Sequence, residues 1–260
     1  MDRETAGRDP YGQLTLFDDG APGESGAPRR LIRLDGRIVE YRFARRRRRT
    51  IGIIVDGSGL RVAAPPRASL GVIEAFMQEK QRWILARLAE NSRVRRPPPL
   101  LGIDGETLPL AGRPMVLELQ QGAPRVAPGN GAILVRLPEP QRRDAVRSLL
   151  VQWLKSRTLE MLAPRVAHYA ALLGRPPPPL TISRARTQWG VCMQSGAIRL
   201  SWRLALLAPA LADYVVAHEV AHLVELNHSK RFWKLLETLY PEWRAARIDI
   251  RHTGALLPQI

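Results

Sequence analysis

The sequence predicts an α+β fold in which a β-rich N-terminal module precedes a helical unit. Two patterns carry this prediction: short alternating apolar runs punctuated by Gly, Pro and Asp-Gly between Leu31 and Leu137, then a change to helical spacing from Gln141 onward. A third observation is that 45 % of the 260 residues are hydrophobic, enough for packed cores in one large domain or two small ones.

Residues 1–28 are rich in Gly and Pro and carry six acids against two arginines, which reads as a disordered acidic tail of charge −4. From 29 to 138 the chain reads as a β-rich module. Leu31 to Phe43 alternates around the hairpin dipeptide Asp35-Gly36, and Ile51–Val55 and Leu60–Ala64 flank Asp56-Gly57-Ser58-Gly59. Thr107–Leu110, Met115–Leu119 and Ala132–Leu137 are further short strands. One long helix interrupts them: Ser69 caps it, Val72, Ile73, Phe76, Met77, Trp83, Ile84 and Leu88 recur at three and four, and it ends near Asn91.

From 139 to 260 helical spacing dominates. Gln141 to Leu173 is helical, with Pro164 as a kink or the start of a second helix and Gly174 as a stop. Leu180–Arg184 and Ala197–Trp202 are strand candidates joined by a Trp189-Gly190 turn, and an apolar helix runs from about Pro209 to Leu226. No sequence repeat is evident.

Lys and Arg total 40 against 24 Asp and Glu, so the chain carries +16 and its body, without the tail, +20. Only four of the basic residues are lysines, and ten arginines fall between Arg29 and Arg49. This excess either serves an anionic partner such as DNA or reflects the base composition of the coding sequence. Cys192 stands alone, which excludes an intramolecular disulfide and a multi-cysteine metal site and suits a reducing compartment. The N-terminus shows no basic, then apolar leader, and no run approaches the roughly 18 apolar residues of a membrane span, so a cytoplasmic protein without a membrane partner is expected.

His218-Glu219-Val220-Ala221-His222 places two imidazoles one turn apart on a helix face, where both reach one metal ion. Glu219 points about 100° round the helix, able to take a proton from a metal-activated water without itself ligating. His228 follows six residues later. Asn227 tolerates the left-handed conformation that would turn the chain back, and Ser229 can cap the next helix, Lys230 to Leu239. Three of only five histidines within eleven residues, around a glutamate, point to a metal site with one position left for water.

Asp213 to Leu223, Glu225 to Ser229 and Phe232-Trp233 together resemble the signature of the YgjP-like branch of the SprT-like zinc metallopeptidases. Gln188-Trp189-Gly190-Val191-Cys192 resembles that family's Trp-Gly-x-Cys segment, and Arg45–Val55 and Ala64–Ile84 resemble its N-terminal region. Val220, usually Leu, and Val191-Cys192-Met193, usually small and polar, depart from its pattern. The resemblance implies a zincin-like metallopeptidase unit over 139–260. It also implies one Zn2+ per chain on His218, His222 and His228, with Glu219 as general base in peptide-bond hydrolysis of a protein or peptide substrate.

His252 and Tyr240 lie downstream of the ligands as candidate transition-state donors, and Arg184 and Arg186 either line the cleft or form a solvated basic face. Cys192, His168 and Trp189 read as packing residues. In the tail, Gln13-Leu14-Thr15-Leu16-Phe17 resembles the peptide by which bacterial replication and repair proteins bind the sliding clamp; alternatively, Leu14, Leu16 and Phe17 dock on the protein's own sheet. Some SprT-like relatives act on protein crosslinked to DNA, which makes DNA-associated proteins an expected substrate. Two rival readings are a metal-dependent phosphoanhydride (nucleotide) hydrolase and a nucleic-acid-binding module with a vestigial metal site. The first lacks a Gly-rich phosphate loop, and the second leaves Glu219 without purpose.

Overall fold

The computed structural model describes residues 28–47, 50–56, 59–93, 97–183 and 188–260, which group into two compact units, 28–93 and 97–260. The acidic tail up to residue 27, with the clamp-like peptide Gln13–Phe17, lies outside the described residues, as do Arg184, Arg186, Arg48 and Arg49.

In the first unit, β1 (Arg29–Leu34) and β2 (Arg37–Arg45) form the expected hairpin. Its turn residues, Asp35 and Gly36, have φ of +46° and +74°, the paired left-handed geometry of a type I′ turn. β3 (Gly52–Asp56) and β4 (Gly59–Ala64) form a second hairpin, and β4 lies parallel to β2, giving the order β1-β2-β4-β3. Alternation turns Leu34, Tyr41, Phe43, Leu60 and Val62 to one side. There Ile73 and Met77 of α1 (Leu70–Glu79) and Ile84 of α2 (Gln81–Arg93) complete a small core. Ser69 caps α1, its Oγ accepting the Val72 N–H at 3.3 Å. The single long helix expected here is broken at Lys80, whose φ of −94° and ψ of 9° leave the helical region. Gln81, the restart, accepts the Asp35 N–H of the hairpin turn at 2.8 Å. The apolar spacing runs through the break, so periodicity does not reveal it.

The second unit begins with the same topology. β5 (Thr107–Leu110), β6 (Arg113–Gln121), β7 (Arg125–Pro128) and β8 (Ala132–Leu137) pair in the order β5-β6-β8-β7, two antiparallel hairpins joined by a parallel β6–β8 ladder. The first turn, Ala111 and Gly112, again has φ of +51° and +77°. A structural repeat is present where no sequence repeat is visible, because sheet topology needs alternation and turn residues rather than particular side chains. The sequence does not announce β7, which is short and ends on Pro128, a residue tolerated on an edge strand.

α3 (Arg143–Leu172) is one helix with Pro164 on its exposed side, not two. Leu150, Leu154, Leu162 and Val166 form its buried stripe. β9 (Leu180–Ser183), β10 (Gly190–Cys192) and β11 (Ile198–Ser201) form a sheet in the order β10-β11-β9, so Trp189-Gly190 opens an edge strand instead of a turn. A 3₁₀ segment, Trp202–Leu206, leads into α4 (Pro209–Ala221), then α5 (Lys230–Leu239) and α6 (Trp243–Ala255). Leu117 and Ile133 of the second sheet share one core with Leu154, Leu204, Val215 and Val216. That shared core is why the division falls near residue 96 and not at the expected 138. Among the described residues no helix is long and apolar enough to cross a membrane.

Candidate metal centre

α4 is buried almost throughout, from Leu211 to Ala221, and this carries His218 and Glu219 inside at 0 % and 1 % exposure. Burying ionisable groups is costly, so their place in an otherwise apolar helix marks them for chemistry rather than packing. The helix ends at Ala221 with His222 as its cap, five residues short of the expected Leu226. Asn227 does not take the left-handed conformation: among the described residues other than glycine only Asp35 and Ala111 do. The reversal is made instead by a tighter turn with His228 at its centre, the Ser229 N–H donating to the Asn227 carbonyl at 2.7 Å. Ser229 then caps α5 on the Phe232 N–H at 3.4 Å.

These local devices bring the three imidazoles together. One nitrogen from each of His218, His222 and His228 lies within 4.8 Å of the others, and His228 Nε2 stands 3.0 Å from His218 Nε2. Ligands at 2.0–2.1 Å in a tetrahedral shell are about 3.3 Å apart, so the cluster fits a single metal ion with little adjustment. His222 Nδ1 donates to the Glu225 carbonyl at 2.9 Å, so Nε2 is the nitrogen through which this ring could hold a metal. His228 is exposed and stacks on Trp233 at 5.5 Å between centroids, while His222 stacks on the fully buried Phe232 at 4.5 Å. The first turn of α5 thus sets the ring orientations. Burial, then the neighbouring imidazoles and Arg247, hold His218 well below the usual histidine range, so it is neutral, the form that could hold a metal.

Gly190 explains the Trp-Gly segment. A Cβ added there would stand 2.6 Å from Glu219 Cγ and 2.8 Å from its Oε1, so only glycine lets β10 press against this carboxylate. Cys192, two residues along the strand, is half-buried; burial and the Glu219 charge push its thiol up to about 11, and it serves as packing. A groove of about 380 Å³ runs beside His222 between Pro176–Pro179 and Cys192–Gly196, with Leu223 and Leu226.

Tyr240 donates its hydroxyl to the Ala210 carbonyl, two turns before His218 on α4, and its ring lies 5.9 Å from that of Tyr214. His252 is exposed on α6 and His168 exposed on α3, while Trp189 packs on Gly254 with Arg203 over its ring at 5.0 Å. Sequence reasoning missed the orienting role of Phe232 and Trp233 and the buried Tyr214, edge-on to His218 at 6.1 Å. Tyr214 lies four residues before His218 and so one turn away on the same face, which was the available signal.

Residues 49–253, which include every residue of this centre, match the family model described as YgjP-like, metallopeptidase domain. No curated protein and no solved structure matches the chain. With the histidine cluster at the heart of a match that spans most of its length, the chain belongs to the YgjP-like metallopeptidase family.

Proposed function

We propose that this protein is a zinc-dependent peptidase, with His218, His222 and His228 holding one zinc ion per chain and Glu219 acting as general base. The observation that carries this reading is the buried Glu219 carboxylate on the helix turn that bears two of three clustered imidazoles. Three neutral nitrogen ligands leave one position of a tetrahedral shell for chemistry, and zinc there supplies Lewis-acid activation of water at neutral pH. Glu219 takes the proton from that water on a carboxylate oxygen and hands it to the leaving amine. Gly190 keeps the carboxylate close to the strand, and the edge strand β10 offers backbone groups along which an extended peptide can pair, beside the groove at His222.

The substrates we infer are proteins associated with DNA in the cytoplasm. The +20 body favours an anionic surface, and the Gln13–Phe17 peptide offers the sliding clamp as a tether that would raise local concentration without touching the cleft.

The test is hydrolysis of casein, of a protein crosslinked to DNA and of nucleoside triphosphates, with and without chelator. Purified protein is expected to carry about one zinc and to cut a protein substrate only with metal present. Glu219→Gln should keep the metal and lose roughly 10²-fold or more in rate. Near-normal turnover in that variant, or cleavage of triphosphates alone, would falsify the reading. Leu16→Ala/Phe17→Ala should abolish clamp binding and leave hydrolysis intact.

A further inference from the structure

Positive charge is unevenly divided between the two units. Residues 28–93 hold 16 basic and six acidic side chains, a net charge of +10, whereas 97–260 hold 20 and 12, a net of +8 over more than twice the length. Within the first unit, half of the acids lie on the helical side of the sheet. They are Glu74, Glu79 and Glu90 on α1 and α2, with Glu79 paired to Lys80 and Glu90 to Arg87.

The other face of the β1–β4 sheet, turned away from those helices, is basic. Strand register sets Arg29, Arg42 and Arg61 side by side on β1, β2 and β4, Ile54 of β3 continues the row, and Arg33 stands on the same face of β1. With strands about 4.8 Å apart, the three arginines fall within roughly 10 Å. Like charges set opposite one another destabilise a sheet, and the offset here is partial: Arg29 pairs with Glu40 at 3.2 Å, while Arg33 and Arg42 have no side-chain partner among the described residues. Leu31 and Ile38, 66 % and 67 % exposed, stand among them. The second sheet is an internal control, because its ladders repeat the same register from the first turn onward. There Glu118, Leu134 and Ala127 hold the positions of Arg42, Arg61 and Ile54, so neither the topology nor a general drift toward arginine accounts for the row. Arg45, which opens the run Arg45–Arg49, is engaged elsewhere. Its guanidinium donates to the Pro65, Pro66 and Ala68 carbonyls at 3.1, 2.7 and 2.8 Å and ties β2 to the chain before α1.

We propose that the outer face of the β1–β4 sheet, led by Arg33 and Arg42 with Arg29 and Arg61 beside them, binds the phosphate backbone of duplex DNA. The inference rests on the DNA association put forward above and gives it a surface. Planar guanidinium groups match phosphate through paired N–H donors, and the exposed Leu31 and Ile38 suit the sugar edges between phosphates. Tyr41 and Phe43 are turned into the core, which leaves the described residues of this face without an aromatic ring for unpaired bases to stack on. A duplex therefore fits it better than a single strand.

Fluorescence anisotropy of the full chain with a labelled duplex of about 20 base pairs, across a range of salt concentrations, tests the assignment. Arg33→Gln/Arg42→Gln should weaken binding about tenfold or more and lower the slope of log K against log salt by about two. Arg125→Gln/Arg136→Gln, an equal change of charge on the outer face of the second sheet, should leave both nearly unchanged. Arg33→Lys/Arg42→Lys should keep most of the affinity, since a phosphate contact needs the charge first. The melting temperature of the first Gln pair should not fall, because it removes like charges from one sheet face; if it does, the single exposed change Arg33→Glu decides in its place. Duplex binding that the two Gln pairs weaken equally, or that the first leaves intact, overturns the surface alone. No duplex binding by the wild-type chain overturns the surface together with the DNA association, and casein hydrolysis then judges the peptidase reading by itself. Equal or tighter binding of single-stranded DNA, duplex RNA or phosphatidylglycerol vesicles overturns the choice of partner.

Discussion

The sheets β1–β4 and β5–β8 share pairing order, parallel middle ladder and type I′ first turn, yet their turns rest on different things. At Gly36 an added Cβ would meet nothing within 4 Å, and the turn is held by Gln81 of its own unit. At Gly112 an added Cβ would stand 2.9 Å from the Ala208 Cα. There the Ala111 and Gly112 N–H groups donate to the Ala205 and Leu206 carbonyls at 2.8 and 3.1 Å, in the segment that feeds α4. One arrangement of strands is therefore a self-contained module in the first unit and the footing of the metal-bearing helix in the second. Strand alternation and turn residues set the topology; what the sheet packs against decides its part in function.

The largest expected effect separates the two cores. Leu117→Ala in β6 and Leu60→Ala in β4 each empty a buried site at a cost of ~2–5 kcal/mol. Metal retention at rising temperature should be lost with the Leu117 variant and preserved in the Leu60 variant; parallel loss in both would end the distinction. The turns sharpen it further. Gly36→Ala should cost about 1–2 kcal/mol for the left-handed backbone alone, while Gly112→Ala adds ~1–3 kcal/mol of overpacking against Ala208. Equal melting temperatures for these two variants would mean that the second turn does not bear on α4. Gly190→Ala carries the same logic into the site: displacing Glu219 should lower kcat roughly tenfold with metal content unchanged, which metal analysis beside steady-state kinetics would show.

The smallest effect is that of pH. All five histidines lie in the second unit, and buried His218 stays neutral to well below its ordinary value of 6.5. The unfolded chain takes up a proton near 6.5 and the folded chain does not, so His218's contribution is complete above that pH. Below it the loss is at most about 1.4 kcal/mol per pH unit. In chelated protein, acidification from pH 7.5 to 5.5 should lower the melting transition of the second unit and leave that of the first in place. A second-unit transition indifferent to that change would show His218 to be solvated.

What could be read in the residues alone were features decided within a few positions of the chain. The left-handed turn at Asp35-Gly36, the caps Ser69 and Ser229, the bounds of α5 and the pairing of His218 with His222 all follow from local dihedral preferences and helical spacing. His228 belongs with them, since a six-residue return needs only one tight turn, although the turn adopted is not the one Asn227 suggested. The break at Lys80, the short end of α4, the edge strand at Gly190 and the hydrogen bond of Tyr240 to Ala210 were decided by tertiary structure. Each depends on a surface brought up by a distant segment: β10 pressing on Glu219, α6 bringing Arg247 to Trp233, the second sheet sharing a core with α4. Residue spacing encodes which side chains share a face of one element, but the element that meets that face is chosen by the packing of the whole unit.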